Sequence, residues 1–255
     1  YIELSEYINQ FNSSDFSLLI DNTKTVLFAL IIAIVIRSLI FQPFYIPSSS
    51  MEPTLLIGDR IFVSKYTYGF SKHSFPFSPH LFSQRIYYQK PKLGDPIVFK
   101  TPVDNRTDYI KRLIGLPGDE IQFVDGEIFL NNEKITRNKI EKNNLIRCGK
   151  ISFEVNTYEE TLPNGKKYIA VYNKAGTLQN TKKFKVPENH FFFLGDNRDC
   201  SKDSRFDSVG YVNFVNLVGK AQIIFFSNDT VKGSLLKFWN LKNSFRVDRL
   251  FKRIK

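Results

Sequence analysis

Residues 25–41, TVLFALIIAIVIRSLIF, constrain this chain more than any other stretch. As a helix rising 1.5 Å per residue they span roughly 25 Å, slightly short of a ~30 Å hydrocarbon core. Arg37 lies near the end of the run, where its long side chain can snorkel to the interface. Two rival readings exist. A cleaved signal peptide would carry a basic leading segment and a small-residue cleavage site, and neither is present. The other rival is a core helix buried in a soluble domain. The expectation is one uncleaved transmembrane anchor over 25–41. Before it, residues 1–24 form a polar segment with Glu3, Glu6, Asp15 and Asp21 against Lys24. Lys24 and Arg37 bracket the span and the next basic residue is Arg60, so charge does not orient it.

The rest of the chain reads as β structure. Among 255 residues are 25 Phe and 12 Tyr, and Gly and Pro punctuate many short apolar runs, which suits strands better than a helical bundle. Residues 60–67 alternate apolar and polar side chains. Residues 97–100, 108–115, 190–194 and 218–226 are further strands, and Pro117-Gly118-Asp119 is a turn. Residues 73–88, rich in Phe, Pro and Ser, read as a loop whose aromatics either dip into a membrane interface or pack beneath the sheet. From about residue 120 the texture changes. Asn131-Asn132 and Asn164-Gly165 each separate two short strand patterns, and residues 131–185 are rich in Lys and Asn. Residues 121–188 are therefore expected to form a smaller β domain inserted into a larger one made of 42–120 and 189–229. Residues 230–255 carry Leu235, Leu236, Trp239, Phe245, Leu250, Phe251 and Ile254 among Lys and Arg, a pattern that fits a basic amphipathic helix lying on a membrane or packed on the domain.

A net charge of +11 suits a basic soluble surface, a nucleic acid or an anionic membrane. No helix-turn-helix or RNP pattern is present, which disfavours nucleic acid and leaves the membrane. Cys148 and Cys200 lie far apart, and spacing alone does not decide whether they pair.

The candidate chemistry lies in three separated stretches. Pro47-Ser48-Ser49-Ser50-Met51-Glu52-Pro53-Thr54 follows the apolar run so closely that an extended chain keeps Ser50 within roughly 30 Å of its end. Tyr109-Ile110-Lys111-Arg112-Leu113-Ile114 places a lysine in an apolar strand. Residues 195–205, GDNRDCSKDSR, crowd charge and hydroxyls into one loop. A serine nucleophile needs a group to take its proton. The three histidines suggest no pairing with Ser50: His73 and His80 lie in the aromatic loop and His190 opens a strand. A lysine can serve instead if burial lowers its pKa from about 10.4. By itself, a strand lysine such as Lys111 is more simply a solvated edge charge.

Together and in this order, the three stretches resemble the bacterial type I signal peptidases, membrane-bound Ser/Lys proteases, from about residue 37 to 227. The resemblance implies a mainly β fold: an N-terminal transmembrane helix, then an antiparallel β catalytic domain with an inserted smaller β domain. It implies Ser50 as nucleophile and Lys111 as general base, with the Ser50 N–H and the Ser48 hydroxyl forming an oxyanion hole. Ser201 would orient the lysine amine. Asp196, Arg198, Asp203 and Arg205 would be the charged scaffold of the loop. Phe44, Ile46, Tyr109 and Ile110 match positions lining shallow S1 and S3 pockets, and Asp108 falls in the same binding stretch. Signal peptides of exported preproteins would bind as an added strand with small side chains in those pockets. The family also implies no metal or organic cofactor, and places the catalytic domain on the outer face of the bacterial inner membrane, held by a single span. Two positions depart from the pattern: Ser49 stands where many bacterial members have Gly, and Cys200 immediately precedes Ser201. Two other functions are compatible with parts of this reading. A self-cleaving Ser/Lys repressor-type protease would be soluble and carry a DNA-binding segment, and a catalytically dead membrane-anchored β scaffold need not keep Ser50, Lys111 and Ser201 together.

Overall fold

The computed structural model describes residues 2–76, 78–79, 84–149, 151–176, 180–229 and 244–255. Helix α1, Ile2–Leu39, opens the chain, free of Pro and Gly throughout. Its segment Ser17–Leu39 is long and apolar enough to cross a membrane, about 35 Å at 1.5 Å per residue. That segment starts before residue 25, because Leu18, Leu19 and Ile20 precede the Asp21–Lys24 ion pair (3.0 Å) that interrupts the apolar pattern. Leu27 and Phe28 are more than half exposed, and Leu30 and Ile31 are equally bare. The buried core helix is thereby set aside. An apolar helical window left bare on every side by the described residues suits a lipid surround.

The polar segment 1–24 is not separate from the anchor, since α1 runs through it. At the other end the expected boundary moves as well. Phe41 belongs to strand β1, Phe41–Tyr45, where it pairs with Ser64. Pro43 explains the break: it lacks an N–H and disfavours helical backbone before it, while an end strand tolerates it.

An antiparallel sheet carries the rest of the fold. It comprises β1, β2 (Asp59–Ser64), β3 (Pro96–Lys100), β4 (Asp108–Gly115), β12 (His190–Leu194), β13 (Val212–Asn213), β14 (Leu217–Ser227) and β15 (Lys252–Arg253). Their order is β1-β2-β14-β3-β4-β12-β13, with β15 on β14. Three strands separate β1 from β4 in that order, yet Phe44 and Ile46 share one cleft with Tyr109 and Ile110, so the sheet curls until its two sides meet. Between β4 and β12 the chain makes two smaller antiparallel sheets. One joins β5 (Glu120–Val124), β6 (Glu127–Leu130), β7 (Glu133–Lys134) and β11 (Phe184–Lys185). The other joins β8 (Thr136–Cys148), β9 (Ile151–Thr161) and β10 (Lys167–Asn173). Asn131 and Asn132, at φ 55° and 66°, make the primed turn between β6 and β7.

The inserted segment does not stand apart in its packing. Ile121, Phe123, Tyr168 and Phe184 share one buried cluster with Ile114, Phe192 and Leu194 of the main sheet. A second cluster, on the side of the serine stretch, holds Met51, Leu55, Ile61, Val63, Val98 and Ala221. Met51 and Leu55 are fully buried. Each such side chain contributes about 1.5–3 kcal/mol, against about 1–2 kcal/mol to order one residue of backbone, so the serine loop is pinned from its own downstream side.

Of the tail expected to form a basic amphipathic helix, residues 230–243 lie outside the described residues, Ser244 is helical, and residues 245–255 are not α-helical. Val247–Arg249 make a short 3-10 turn and β15 pairs Lys252 and Arg253 with Ile224 and Ile223 of β14. The cause is an unfilled edge: β3 pairs with β14 only over Leu217–Lys220, leaving strand groups beyond it in need of partners. Ile254 joins the buried cluster and Arg249 is buried against Asp59. Leu235, Leu236 and Trp239 lie outside the described residues, as do Phe77, His80 and Phe82 of the aromatic loop.

Candidate active site

Ser50 sits in the turn between β1 and β2, 7% exposed. Lys111 lies in the middle of β4, 4% exposed, and its Nζ is 2.6 Å from Ser50 Oγ. The amine also donates to the Ile110 carbonyl at 3.0 Å and lies over the Tyr109 ring. Burial lowers the Lys111 pKa from its ordinary value to about 8, against the opposing pull of the Asp203 and Asp196 carboxylates. The strand lysine is thus no solvated edge charge. Ser48 Oγ lies 3.4 Å from Ser50 Oγ, on the same turn.

Ser201 is brought to the same place, 6% exposed, but makes no hydrogen bond to Lys111. Its hydroxyl helps hold the Asp203 carboxyl down without a hydrogen bond of ordinary geometry among the described residues. Gly195 forms the floor beneath it. A Cβ there would lie 2.2 Å from Ser201 Oγ and 2.4 Å from the Ser50 carbonyl oxygen, so only glycine lets the three meet. Nothing in the spelling of the loop marked Gly195 for this role.

The charged loop is built almost wholly of buried groups. Arg112 donates twice to Asp196, both at 2.7 Å, and Thr54 Oγ1 donates to the same carboxylate at 2.5 Å. Asp196 therefore ties the serine turn to β4. Asn197 finishes the tie, its N–H donating to the Ser50 carbonyl at 3.2 Å and its side-chain amide to the Ser49 carbonyl at 3.3 Å. Arg205 pairs with Asp203 at 2.8 Å, and Asp203 in turn accepts the Gly195 N–H at 3.0 Å. Arg198 reaches into the inserted segment, where Glu160 accepts both guanidinium nitrogens at 2.9 and 3.1 Å and the Tyr168 and Tyr172 hydroxyls accept one each. Arg112, Thr54, Asn197 and Glu160 are supporting residues that motif reading passed over. Glu160 lies in the inserted segment, far in sequence from all three motif stretches.

The two departures from the family pattern touch each other. Ser49 Oγ is 3.4 Å from Cys200 Sγ, and Cys200 forms a disulfide with Cys148 at the end of β8. Covalent and ionic links therefore both run from the inserted segment to the loop behind Ser201.

A cleft of about 400 Å³ opens over Ser50, lined by Phe44, Ile46, Asp108, Tyr109 and Ile110 together with Ser48 and Lys111. The Asp108 carboxylate is held by Lys100 at 2.9 Å. Strand β12 pairs with β4 only over Arg112–Gly115, so Asp108–Lys111 keeps one edge unpaired among the described strands. β1 is the end strand of the sheet and is likewise open on one edge. Two open edges facing one cleft can accept an extended peptide between them. Neither His73, bonded to Ser78, nor His190, bonded to the Glu188 carbonyl, lines this cleft.

The family model "Signal peptidase, peptidase S26" matches residues 19–226. The chain belongs to that family. It is similar to the signal peptidase I of Rickettsia bellii (strain OSU 85-389), 42% identical over 249 residues that cover 91% of this chain and 84% of that protein. The signal peptidase I of Rickettsia typhi is 41% identical over 263 residues, covering 92% and 97%. A crystal structure of a signal peptidase I from Enterococcus faecalis V583, 27% identical, aligns over 52% of this chain and 97% of that one with a TM-score of 0.32. The family makes the chain a serine endopeptidase, and the mainly β architecture with one apolar N-terminal helix fits it.

Proposed function

We propose that this chain is a membrane-anchored signal peptidase that removes signal peptides from exported preproteins with a Ser50–Lys111 dyad. The observation that carries the proposal is the 2.6 Å approach of a buried lysine amine to the serine hydroxyl. The neutral amine takes the Ser50 proton as Oγ attacks the scissile carbonyl carbon. The carbonyl oxygen, now anionic, accepts from the Ser50 N–H and the Ser48 hydroxyl. The Lys111 ammonium then gives its proton to the leaving amine, and the C–N bond breaks to leave an acyl-enzyme. Water, deprotonated by the same lysine, releases the acid and restores Ser50. The apolar segment Ser17–Leu39 would hold this site at the bilayer, on the outer face as the family resemblance implies. Small side chains suit the shallow part of the cleft around Phe44, Ile46 and Ile110.

The test is a pH–rate profile on a short Ala-x-Ala peptide. Only the neutral amine is a base, so kcat/KM should rise with pH and level off above about 8, where Lys111 loses its proton. Activity is thus lost as pH falls through that value, well above a histidine's ordinary range of about 6.5. A limb that follows His73, His80 or His190 replacements instead would remove Lys111 from the mechanism.

Ser48→Ala probes the oxyanion hole. Loss of one donor should lower kcat by on the order of 10²–10³ with little change in KM. An effect confined to KM would place Ser48 among the binding residues.

A further inference from the structure

A second cavity, of about 620 Å³, lies beside the catalytic cleft and the end of α1, and it differs in chemistry from the cleft. Arg37, Lys65, Lys72 and Arg106 line it, with Lys100 and His73. Two carboxylates also line it, and both already have partners. Asp104 accepts from the Thr101 hydroxyl at 2.5 Å, from the Thr107 hydroxyl, and from the N–H groups of Arg106 and Thr107 at 2.9 and 3.0 Å. Asp108 is paired with Lys100 at 2.9 Å. No carboxylate among the described residues lies within ion-pair distance of Arg37, Lys65, Lys72 or Arg106.

Lys65 is the least expected of these. It is 2% exposed, its Nζ donates to the Ser74 carbonyl, and no carboxylate among the described residues pairs with it at contact distance. Burial, then Arg37, lowers its pKa to about 8, against the opposing pull of the Asp108 carboxylate. A buried ammonium is normally paired, because desolvation makes a lone charge costly. Lys65, Arg37, Lys72 and Arg106 together are a set of donors in want of one anion.

The position of the cavity says which anion. Arg37 lies in the last turn of α1, at the end of the apolar segment that closes at Leu39. The polar headgroup layer of a bilayer is roughly 5–7 Å deep on each face, so a group within a helical turn of that end lies at headgroup level. We propose that this cavity seats the phosphodiester headgroup of an anionic phospholipid, held by Arg37, Lys65, Lys72 and Arg106. A zwitterionic headgroup brings its own cation and matches this lining poorly. The inference rests on the membrane anchoring proposed above. Because Phe44 and Asp108 line both cavities, the headgroup would sit at the rim of the substrate cleft and fix the height of that cleft above the lipid.

The experiment reconstitutes the full chain into vesicles of phosphatidylcholine alone and of phosphatidylcholine mixed with phosphatidylglycerol. After flotation and extraction in mild detergent, the lipid that stays on the protein is quantified by mass spectrometry. The expected result is retention of phosphatidylglycerol well above its share of the vesicle. Lys72→Ala and Arg106→Ala should each lower that enrichment about fivefold, with cleavage of a short soluble peptide unchanged. Lys65→Met should lower it further, and the two surface variants carry the test if that one does not fold. Equal retention of both lipids, or enrichment unchanged in all three variants, overturns the headgroup seat. Displacement of phosphatidylglycerol by millimolar inorganic phosphate would overturn the lipid as the source of the anion. Co-flotation with both vesicle types but without enrichment rejects the headgroup alone, whereas failure to float with either removes the anchor and the headgroup together.

Discussion

Ser50→Ala and Lys111→Ala should each reduce kcat on a preprotein carrying an Ala-x-Ala site by about 10⁴–10⁶, and the double variant should be scarcely worse than either. Non-additivity follows from the 2.6 Å contact, since the serine without its base and the base without its serine are both idle. Lys111→Arg should not recover activity, because a guanidinium stays protonated at any working pH. Stability should move the other way. Lys111 titrates near 8 in the folded protein against an ordinary 10.5, so the fold opposes its protonation. That penalty is fully present below about pH 8 and gone above the unfolded value. Lys111→Met removes it and keeps the bulk, so at neutral pH it should raise stability by ~3 kcal/mol while abolishing turnover. Thermal unfolding of the two proteins at pH 7 and pH 10.5 checks this, with the gap between them shrinking at the higher pH. Retained cleavage in Lys111→Ala, or a Lys111→Met protein that is less stable at pH 7, would refute a buried base.

The parts of the site that were legible in the sequence are those whose chemistry depends on residue type. Ser50, Lys111 and the loop at 195–205 carry the proposed nucleophile, the proposed base and charge, and their order along the chain points to one family. The parts that were not legible depend on distance. Gly195 is required by a 2.2 Å clearance that no local pattern encodes. Glu160 looks like one more surface acid in a polar strand until folding buries it beside Arg198. Ser49 and Cys200 each look like an isolated departure from the family, whereas the fold lays one against the other. Boundaries behaved in the same way. Ile40 and Phe41 are as apolar as the helix before them, so hydropathy continues the anchor to 41, while Pro43 ends helical backbone earlier. At the other end, residues 252–253 take the open edge of β14, a backbone opportunity to which side-chain periodicity is blind.

Glu160→Ala should lower the melting temperature by roughly 6–20 °C and impair catalysis from outside the cleft. Arg198 is 2% exposed and its pair with Glu160 is 1% exposed on both sides, so removing the carboxylate leaves a guanidinium charge with no anion and no water. Breaking such a pair costs about 3–5 kcal/mol, and each kcal/mol moves the midpoint by about 2–4 °C in a protein of this size. Arg198 Nε also donates to the Gly195 carbonyl at 3.1 Å, and Arg205 donates to the Arg198 carbonyl at 2.5 Å. Strain at Arg198 is therefore passed to the residues that hold Ser201 and the Ser50 carbonyl, so kcat should fall with KM little changed. The Cys148–Cys200 bond keeps the inserted segment attached and does nothing to replace the missing charge. Arg198→Met combined with Glu160→Leu should be less damaging than Glu160→Ala alone, because no unpaired charge remains. Recovery should be partial, since the Tyr168 and Tyr172 hydroxyls then lose the groups they bond. Calorimetry of Glu160→Leu, Arg198→Met and the pair decides the matter: a double variant destabilised by as much as the two singles added together, or more, would mean that the ion pair does not hold the loop in place.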